Sequence, residues 1–160
     1  MALLLAVKTR KVAEVQSALE NGAAPDTTDR DGRSAALIAA ERGFPEIVQL
    51  LVERGTDLNF MQDSPVACFS ILDFVAGASP DDGFFAKRKR KNLVRWLRER
   101  GALSGQEIGF AKGDDLAGLS PHERLAVLDA QLPPGRREFD VQLIEIFDKM
   151  GPELKKRRVG

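Results

Sequence analysis

The feature that most constrains this chain is a sequence repeat with a period of 33 residues. A period of this size is typical of a helix–turn–helix unit that cannot bury its apolar face alone and therefore stacks on neighbouring copies. The sequence thus predicts an array of stacked helical units. The identities at this offset include Leu4 with Leu37, Ala6 with Ala39, Val15 with Val48, Gln16 with Gln49, Glu20 with Glu53 and Gly22 with Gly55.

The middle copy, DGRSAALIAAERGFPEIVQLLVERGTDLN at residues 31–59, carries the signals of a turn and two helices. Asp31-Gly32 has the chemistry of a tight turn, and Ser34 is a good N-cap for a first helix rich in alanine. Gly43 is expected to end that helix, and Pro45 suits the first turn of a second, apolar helix. The copy therefore predicts a turn followed by two antiparallel helices.

From the Asp-Gly turn through the paired alanines to the closing Gly-x-Asp-x-Asn, this copy resembles the consensus of ankyrin repeats. The resemblance implies an all-α ankyrin-repeat solenoid over residues 1–103. Residues 2–26 are a degenerate N-terminal repeat without the turn, residues 27–59 the well-matched repeat, and residues 60–103 a repeat with insertions. An atypical first copy is expected, because one face of a terminal repeat meets water.

The third repeat is identified from its end, because NLVRWLRERGA at residues 92–102 matches EIVQLLVERGT at residues 46–56. Its first helix is predicted at Ser70–Gly77, in analogy to the helix after Ser34. Extra residues lie before that helix, in NFMQDSPVACF, and between the two helices, in ASPDDGFFAKRKRK. Insertions in repeat proteins map to exposed loops, often on the binding face.

Residues 104–160 show no repeat and are predicted to form a C-terminal helical extension. Ser120-Pro121 with Glu123 makes a capping-box start, and the apolar stripe of REFDVQLIEIFDKM at residues 137–150 predicts another helix. Because a solenoid has to cover its last apolar face, we expect these helices to dock as a cap. The basic tail, residues 155–160, is expected to fray.

The sequence carries no sign of catalysis, of a cofactor or of a metal site. It lacks the glycine motifs that bind phosphate groups, and Cys68 and His122 are its only cysteine and histidine. A dyad of these two would have to form across the array. A single cysteine fits a reducing compartment, and no window reaches the roughly 18 apolar residues of a membrane span. We therefore predict a cytoplasmic protein that is not an enzyme.

Ankyrin repeats bind other macromolecules, mostly proteins, through their finger tips and the exposed side of their first helices. The resemblance therefore implies a protein partner, with the chain acting as an adaptor, an inhibitor or an immunity-type protein. Carried over position by position, it implies partner contacts in the middle repeat at Arg30, Asp31, Arg33, Ile38, Glu41 and Arg42.

The region before the first helix of the third repeat contains more apolar residues than a solvent-exposed turn requires. Apolar side chains that cluster on a surface favour a partner contact, whereas a loop that folds back or is covered by the C-terminal helices would bury them. The residues predicted here as partner contacts are Phe60, Met61 and Phe69, with Val66 beside them.

Eight of the 24 basic residues lie in FFAKRKRKNLVRWLRERG at residues 84–101, although the whole chain has no net charge. A helix that starts at Ser79-Pro80 and runs through this stretch would be about twice the usual length and would carry the basic run beyond the array. The run is then a solvated helix face or a docking edge for a protein with an acidic patch. The alternatives are nucleic-acid or anionic-surface binding and a nuclear address. Its residues are Lys87, Arg88, Lys89, Arg90 and Lys91.

Overall fold

A computed structural model describes residues 2–61, 69–77 and 84–128, together with the helical residues 141, 144, 145 and 147–149. Within these ranges the protein is all-α, and one isolated β-bridge joins Thr28 to Ser34. The all-α prediction is therefore confirmed. The helices are α1 (Ala2–Lys8), α2 (Val12–Glu20), α3 (Ala35–Glu41), α4 (Pro45–Glu53), α5 (Ile71–Ala76), α6 (Phe84–Glu99), α7 (Gly105–Ala111) and α8 (Pro121–Leu128).

The first six helices form three hairpins that stack into two layers. The first helices α1, α3 and α5 pack side by side in one layer, and the second helices α2, α4 and α6 pack in the other. The alanines of α3 are almost fully buried, which lets its neighbours approach closely. Val48 and Leu51 of α4 and Leu97 of α6 bury their side chains completely in the core of the array.

Local sequence signals set the ends of these helices. Ser34 Oγ accepts a hydrogen bond from Leu37 N at 3.2 Å, so the predicted N-cap of α3 is confirmed. After α3, Gly43 adopts a left-handed φ of 72°, and Pro45 occupies the first turn of α4 as predicted. In the third repeat Ser70 and Asp73 form a complete capping box at the start of α5.

Successive repeats are tied together by the polar residue that ends each copy. Asp26 Oδ1 accepts hydrogen bonds from Asp57 N at 2.8 Å and from the Thr56 hydroxyl at 2.6 Å. One period later, Asn59 Oδ1 accepts a hydrogen bond from Leu103 N at 2.8 Å. Because the same bond recurs, the third repeat joins the second as the second joins the first.

The second helix of the third repeat is longer than its counterparts. Helix α6 has 16 residues, against nine in each of α2 and α4. Its described part begins at Phe84, and the predicted helix start at Ser79-Pro80 lies outside the described residues. The extra turns carry the basic run Lys87–Lys91.

Helix α7 was not predicted within the glycine-rich stretch that follows Leu103. Ser104 caps α7 through a capping box with Glu107, and Gly113 follows with a φ of 75°. The spacing from serine cap to left-handed glycine equals that from Ser34 to Gly43. The capping box was the available signal, but the glycine-rich composition of the stretch obscured it.

Side chains from the C-terminal residues join the core at the third repeat. Phe147 is buried, and its ring stacks on that of Phe69 with the centroids 6.2 Å apart. The predicted capping box of α8 is confirmed, since Ser120 N donates to Glu123 Oε2 at 2.7 Å and Glu123 N donates to Ser120 Oγ at 3.3 Å. His122 at the start of α8 lies 3.4 Å from the Asp148 carboxylate.

Candidate binding surfaces

The turn of the second repeat, residues 27–34, forms a finger, and the carboxylate of Asp29 accepts the hydrogen bonds that hold it together. Asp29 Oδ1 accepts hydrogen bonds from Asp31 N and Arg33 N, both at 3.0 Å. Its Oδ2 accepts from the Arg33 guanidinium at 3.0 Å and from Lys8 Nζ at 3.3 Å. The role of Asp29 was not predicted from the sequence. Aspartate side chains in turns commonly accept a hydrogen bond from the backbone amide two residues further on, and this was the available signal. The finger is therefore a preformed structure.

The charge of Arg33 stabilises the ionised Asp29 carboxylate at the centre of the finger. Partial burial by itself would raise the pKa of Asp29, but the hydrogen bonds and charge of Arg33 outweigh it and the pKa is lowered. Arg33 also pairs with Glu41 at 3.1 Å, and only 21% and 22% of these two side chains is exposed. Arg33 and Glu41 were both predicted as partner contacts. In the structure their charges are paired with each other and with residues of the finger.

The tip of the finger points to solvent. Arg30 and Asp31 are exposed, as is Arg42 at the end of α3. Arg42 donates a hydrogen bond from Nη1 to Lys8 O at 3.3 Å, which holds it near the first repeat. Of the six partner contacts predicted in the middle repeat, these three are exposed and accessible to another protein.

Ile38 and Phe69 need correction as predicted partner contacts, because both are buried. Ile38 is 1% exposed, since it lies in the interior of α3 between neighbouring first helices. Phe69 is fully buried: it precedes the Ser70 cap and packs on Phe74 of the same helix start, with ring centroids 5.3 Å apart. This contact is a hydrophobic staple, and the ring of Phe147 stacks on that of Phe69 as well.

Phe60 and Met61 are half-buried at the end of the second repeat. They keep part of their apolar surface accessible, so they remain candidates for a partner contact. Val66, which was expected beside them, and Cys68 lie outside the described residues.

The basic run differs from the expectation that it projects beyond the array. Lys87, Arg88, Lys89 and Lys91 are exposed, but Arg90 is half-buried, and burial lowers its pKa. Lys89 and Arg90 line a cleft of about 610 Å³ at the links between first and second helices. We call it the basic cleft; its lining residues with charged side chains are Arg10, Glu41, Arg42, Glu46, Lys89 and Arg90.

Comparisons with known proteins agree with this architecture. Residues 3–52 match a family model of ankyrin repeats present in many copies. A putative ankyrin repeat protein of Escherichia coli (strain K12), YahD, is 48% identical over 46 residues, which are 29% of this chain and 23% of that protein. The ankyrin repeat domain of Bcl-3, a member of the IkappaB family, superposes with a TM-score of 0.50 at 33% identity, covering 63% of this chain and 39% of that one.

The fold and these similarities define the class: the chain is built on an ankyrin-repeat solenoid. It spans well under half the length of the two relatives named above. Ankyrin repeats indicate a protein–protein interaction module, and proteins of the family are generally binding modules without enzymatic activity. None of the helices in the described ranges combines the length and the apolarity that crossing a membrane demands.

Proposed function

We propose that this chain binds a partner protein through the finger and the accessible residues beside it, and that it acts by occluding or recruiting that partner rather than by catalysis. The contact surface comprises Arg30 and Asp31 at the finger tip, Arg42 at the end of α3, and the half-buried Phe60 and Met61. The role is that of an inhibitor, an immunity-type protein or an adaptor in the cytoplasm.

The observation that carries the proposal is the hydrogen-bond network that holds the finger behind an exposed tip. Four hydrogen bonds to Asp29 fix the turn, while Arg30 and Asp31 stay in solvent. A preformed loop loses little conformational entropy on binding, so more of the contact energy appears as affinity.

The test is capture of a partner by the full chain and by Arg30→Asp, with Arg95→Asp as the matched control. Arg95 is exposed on α6, so both variants reverse one exposed positive charge, but only one of them changes the finger. We expect the protein that wild type captures to be lost with Arg30→Asp and kept with Arg95→Asp. Equal capture by both variants would remove the finger from the proposed surface.

Once the partner is identified, its own activity separates the possible roles. An inhibitor or immunity-type protein has to suppress that activity when added at a saturating ratio. An adaptor has to leave the activity unchanged and connect the partner to a further component. Measuring the activity of the partner with wild type and with Arg30→Asp therefore decides between occlusion and recruitment.

The alternative, nucleic-acid binding through the exposed basic run, makes an opposite prediction about salt. A protein that neutralises phosphates releases counterions, so its affinity falls steeply as salt rises. A contact that includes Phe60 and Met61 keeps much of its affinity under the same conditions. Affinity measured for the captured partner and for an oligonucleotide over a salt series separates these two modes.

A further inference from the structure

We propose that the basic cleft is a second binding site and that it takes an acidic, partly apolar peptide segment of the partner protein. The cleft lies where the links between the helices of the first two repeats meet α5 and α6, and it shares only Arg42 with the contact surface proposed above. This inference rests on the proposed function, because it names the chemistry of a segment that the same partner contributes.

The lining of the cleft is electrostatically biased, although the whole chain has no net charge. Four basic side chains line it against two acidic ones. One of the two acidic groups, Glu41, already receives a hydrogen bond from Arg33 at 3.1 Å. A concave surface of one predominant sign focuses the field on a bound ligand, so the cleft favours carboxylates over ammonium groups.

Arg10 provides an independent sign that the cleft has a role beyond folding. It has a φ of 56°, the left-handed conformation that Gly43 adopts at the corresponding position of the second repeat with a φ of 72°. The two amides make equivalent bonds: Arg10 N donates to Val7 O at 3.1 Å and Gly43 N donates to Ala40 O at 3.2 Å. Glycine adopts this conformation without strain, whereas arginine does not. An arginine here adds a cation to the cleft at the expense of backbone strain.

The rest of the lining indicates which anion fits. Arg10 sits over the ring of Phe44 at 5.3 Å, and the buried side chains of Val75 and Leu93 contribute apolar surface. A ligand that carries carboxylates and aliphatic groups together satisfies both kinds of lining. A nucleic-acid backbone suits the cleft less well, because it offers phosphates but no aliphatic groups for the apolar part of the lining.

The test uses the full chain and a fluorescein-labelled peptide that alternates glutamate with leucine, compared with the same peptide carrying glutamine for glutamate. We expect the glutamate peptide to bind and the glutamine peptide to bind at least about tenfold more weakly. The variant Arg10→Gly/Arg42→Gln/Lys89→Gln should weaken binding of the glutamate peptide by a similar factor. Arg90 is left unchanged because its side chain is half-buried.

The control is Lys87→Gln/Arg88→Gln/Lys91→Gln, which removes equally many positive charges from exposed residues of the same helix that do not line the cleft. It should bind the glutamate peptide within about twofold of wild type, because these exposed side chains do not line the cleft and water and salt weaken their attraction to a ligand bound there. An equal loss in both triple variants would overturn the proposal. So would equal binding of the two peptides, or a single-stranded oligonucleotide that binds more tightly than the glutamate peptide.

Two further measurements keep the outcomes separate. Arg10→Gly alone should melt no lower than wild type, because glycine relieves the strained backbone, and it should still weaken peptide binding. Arg30→Asp should leave peptide binding unchanged. If the peptide binds as expected but Arg30→Asp does not reduce partner capture, the cleft proposal is supported and the finger proposal fails. If the peptide does not bind but Arg30→Asp abolishes partner capture, the cleft proposal fails and the finger proposal is supported.

Discussion

The second and third repeats use the residues before their first helices in opposite ways. In the second repeat, charged side chains hold a finger around Asp29, and its tip, Arg30 with Asp31, remains in water. In the third repeat, Phe69 before α5 and Asp73 in the first turn of α5 turn inward and contact Phe147 and Gly105, which follow the array. The segment before the first helix therefore ends in an exposed tip in one repeat and in a buried contact in the next, and the exposed tip is where we propose that a partner binds.

The largest expected effect tests the inward-facing role of Phe69. Phe69→Ala removes a fully buried ring between Phe74 and Phe147 and should lower the free energy of unfolding by about 3–5 kcal/mol. Phe60→Ala, which truncates a half-buried side chain of the same type, should cost only about 1 kcal/mol. Chemical denaturation of both variants measures the difference, and similar losses for the two would contradict the comparison.

The start of α5 shows why local signals alone could not place Phe69. Its cap, Ser70 with Asp73, is a local pattern, and sequence analysis predicted the helix after Ser70. The second contact of Phe69 is with Phe147, which lies far along the chain and reaches it only through the fold. The spacing of Phe69 and Phe74 around the cap was a usable local hint of a staple.

The same distinction separates what was and was not predictable on the candidate surfaces. The Ser34 cap, the turn at Gly43 and the proline start of α4 follow from residue chemistry within a few positions, so they were found. The basic cleft joins Arg10 and Lys89 from different repeats, and only their stacking brings the two together. Periodicity predicts that repeats stack, but not which side chains then share a surface.

A second prediction concerns Asp73, which is 2% exposed. Its Oδ2 accepts hydrogen bonds from Ser70 N at 2.9 Å and from Gly105 N at 2.7 Å, so it joins α5 to α7. Asp73→Ala leaves these buried donors without that acceptor and should cost about 2–3 kcal/mol. Glu107→Ala removes the exposed acid of the equivalent capping box and should cost about 1 kcal/mol. Thermal and denaturant unfolding compare the two, and an equal cost would show that the link from Asp73 to Gly105 adds nothing.

A third prediction uses pH to examine the finger. The folded-state pKa of Asp29 is below its ordinary value of 3.8. Its contribution to stability is therefore complete above that value and is lost as the pH falls through the folded-state pKa. Asp29→Ala should cost about 1–2 kcal/mol at neutral pH, because it removes the acceptor of four hydrogen bonds.

The measurement is a series of denaturation curves for wild type and Asp29→Ala from neutral pH down to about pH 2. The gap in unfolding free energy should narrow as the pH falls below 3.8. The other described carboxylates with lowered pKa values, Glu107, Asp114 and Glu123, are present in both proteins, so their acid sensitivity cancels in the difference. A gap that stays constant with pH would show that the Asp29 charge does not support the finger.

The smallest expected effect on stability is at the tip of the finger. Because a change there should not unfold the protein, it can separate a loss of binding from a loss of stability. Arg30 is exposed, and its side chain lies outside the network around Asp29, so Arg30→Ala should change the unfolding free energy by less than about 0.5 kcal/mol. Replacement of Asp29 instead loosens the turn that presents this residue. If Arg30→Ala leaves the melting curve unchanged but weakens partner capture, the loss belongs to binding itself. A destabilisation as large as that of Asp29→Ala would instead place Arg30 among the residues that hold the finger together.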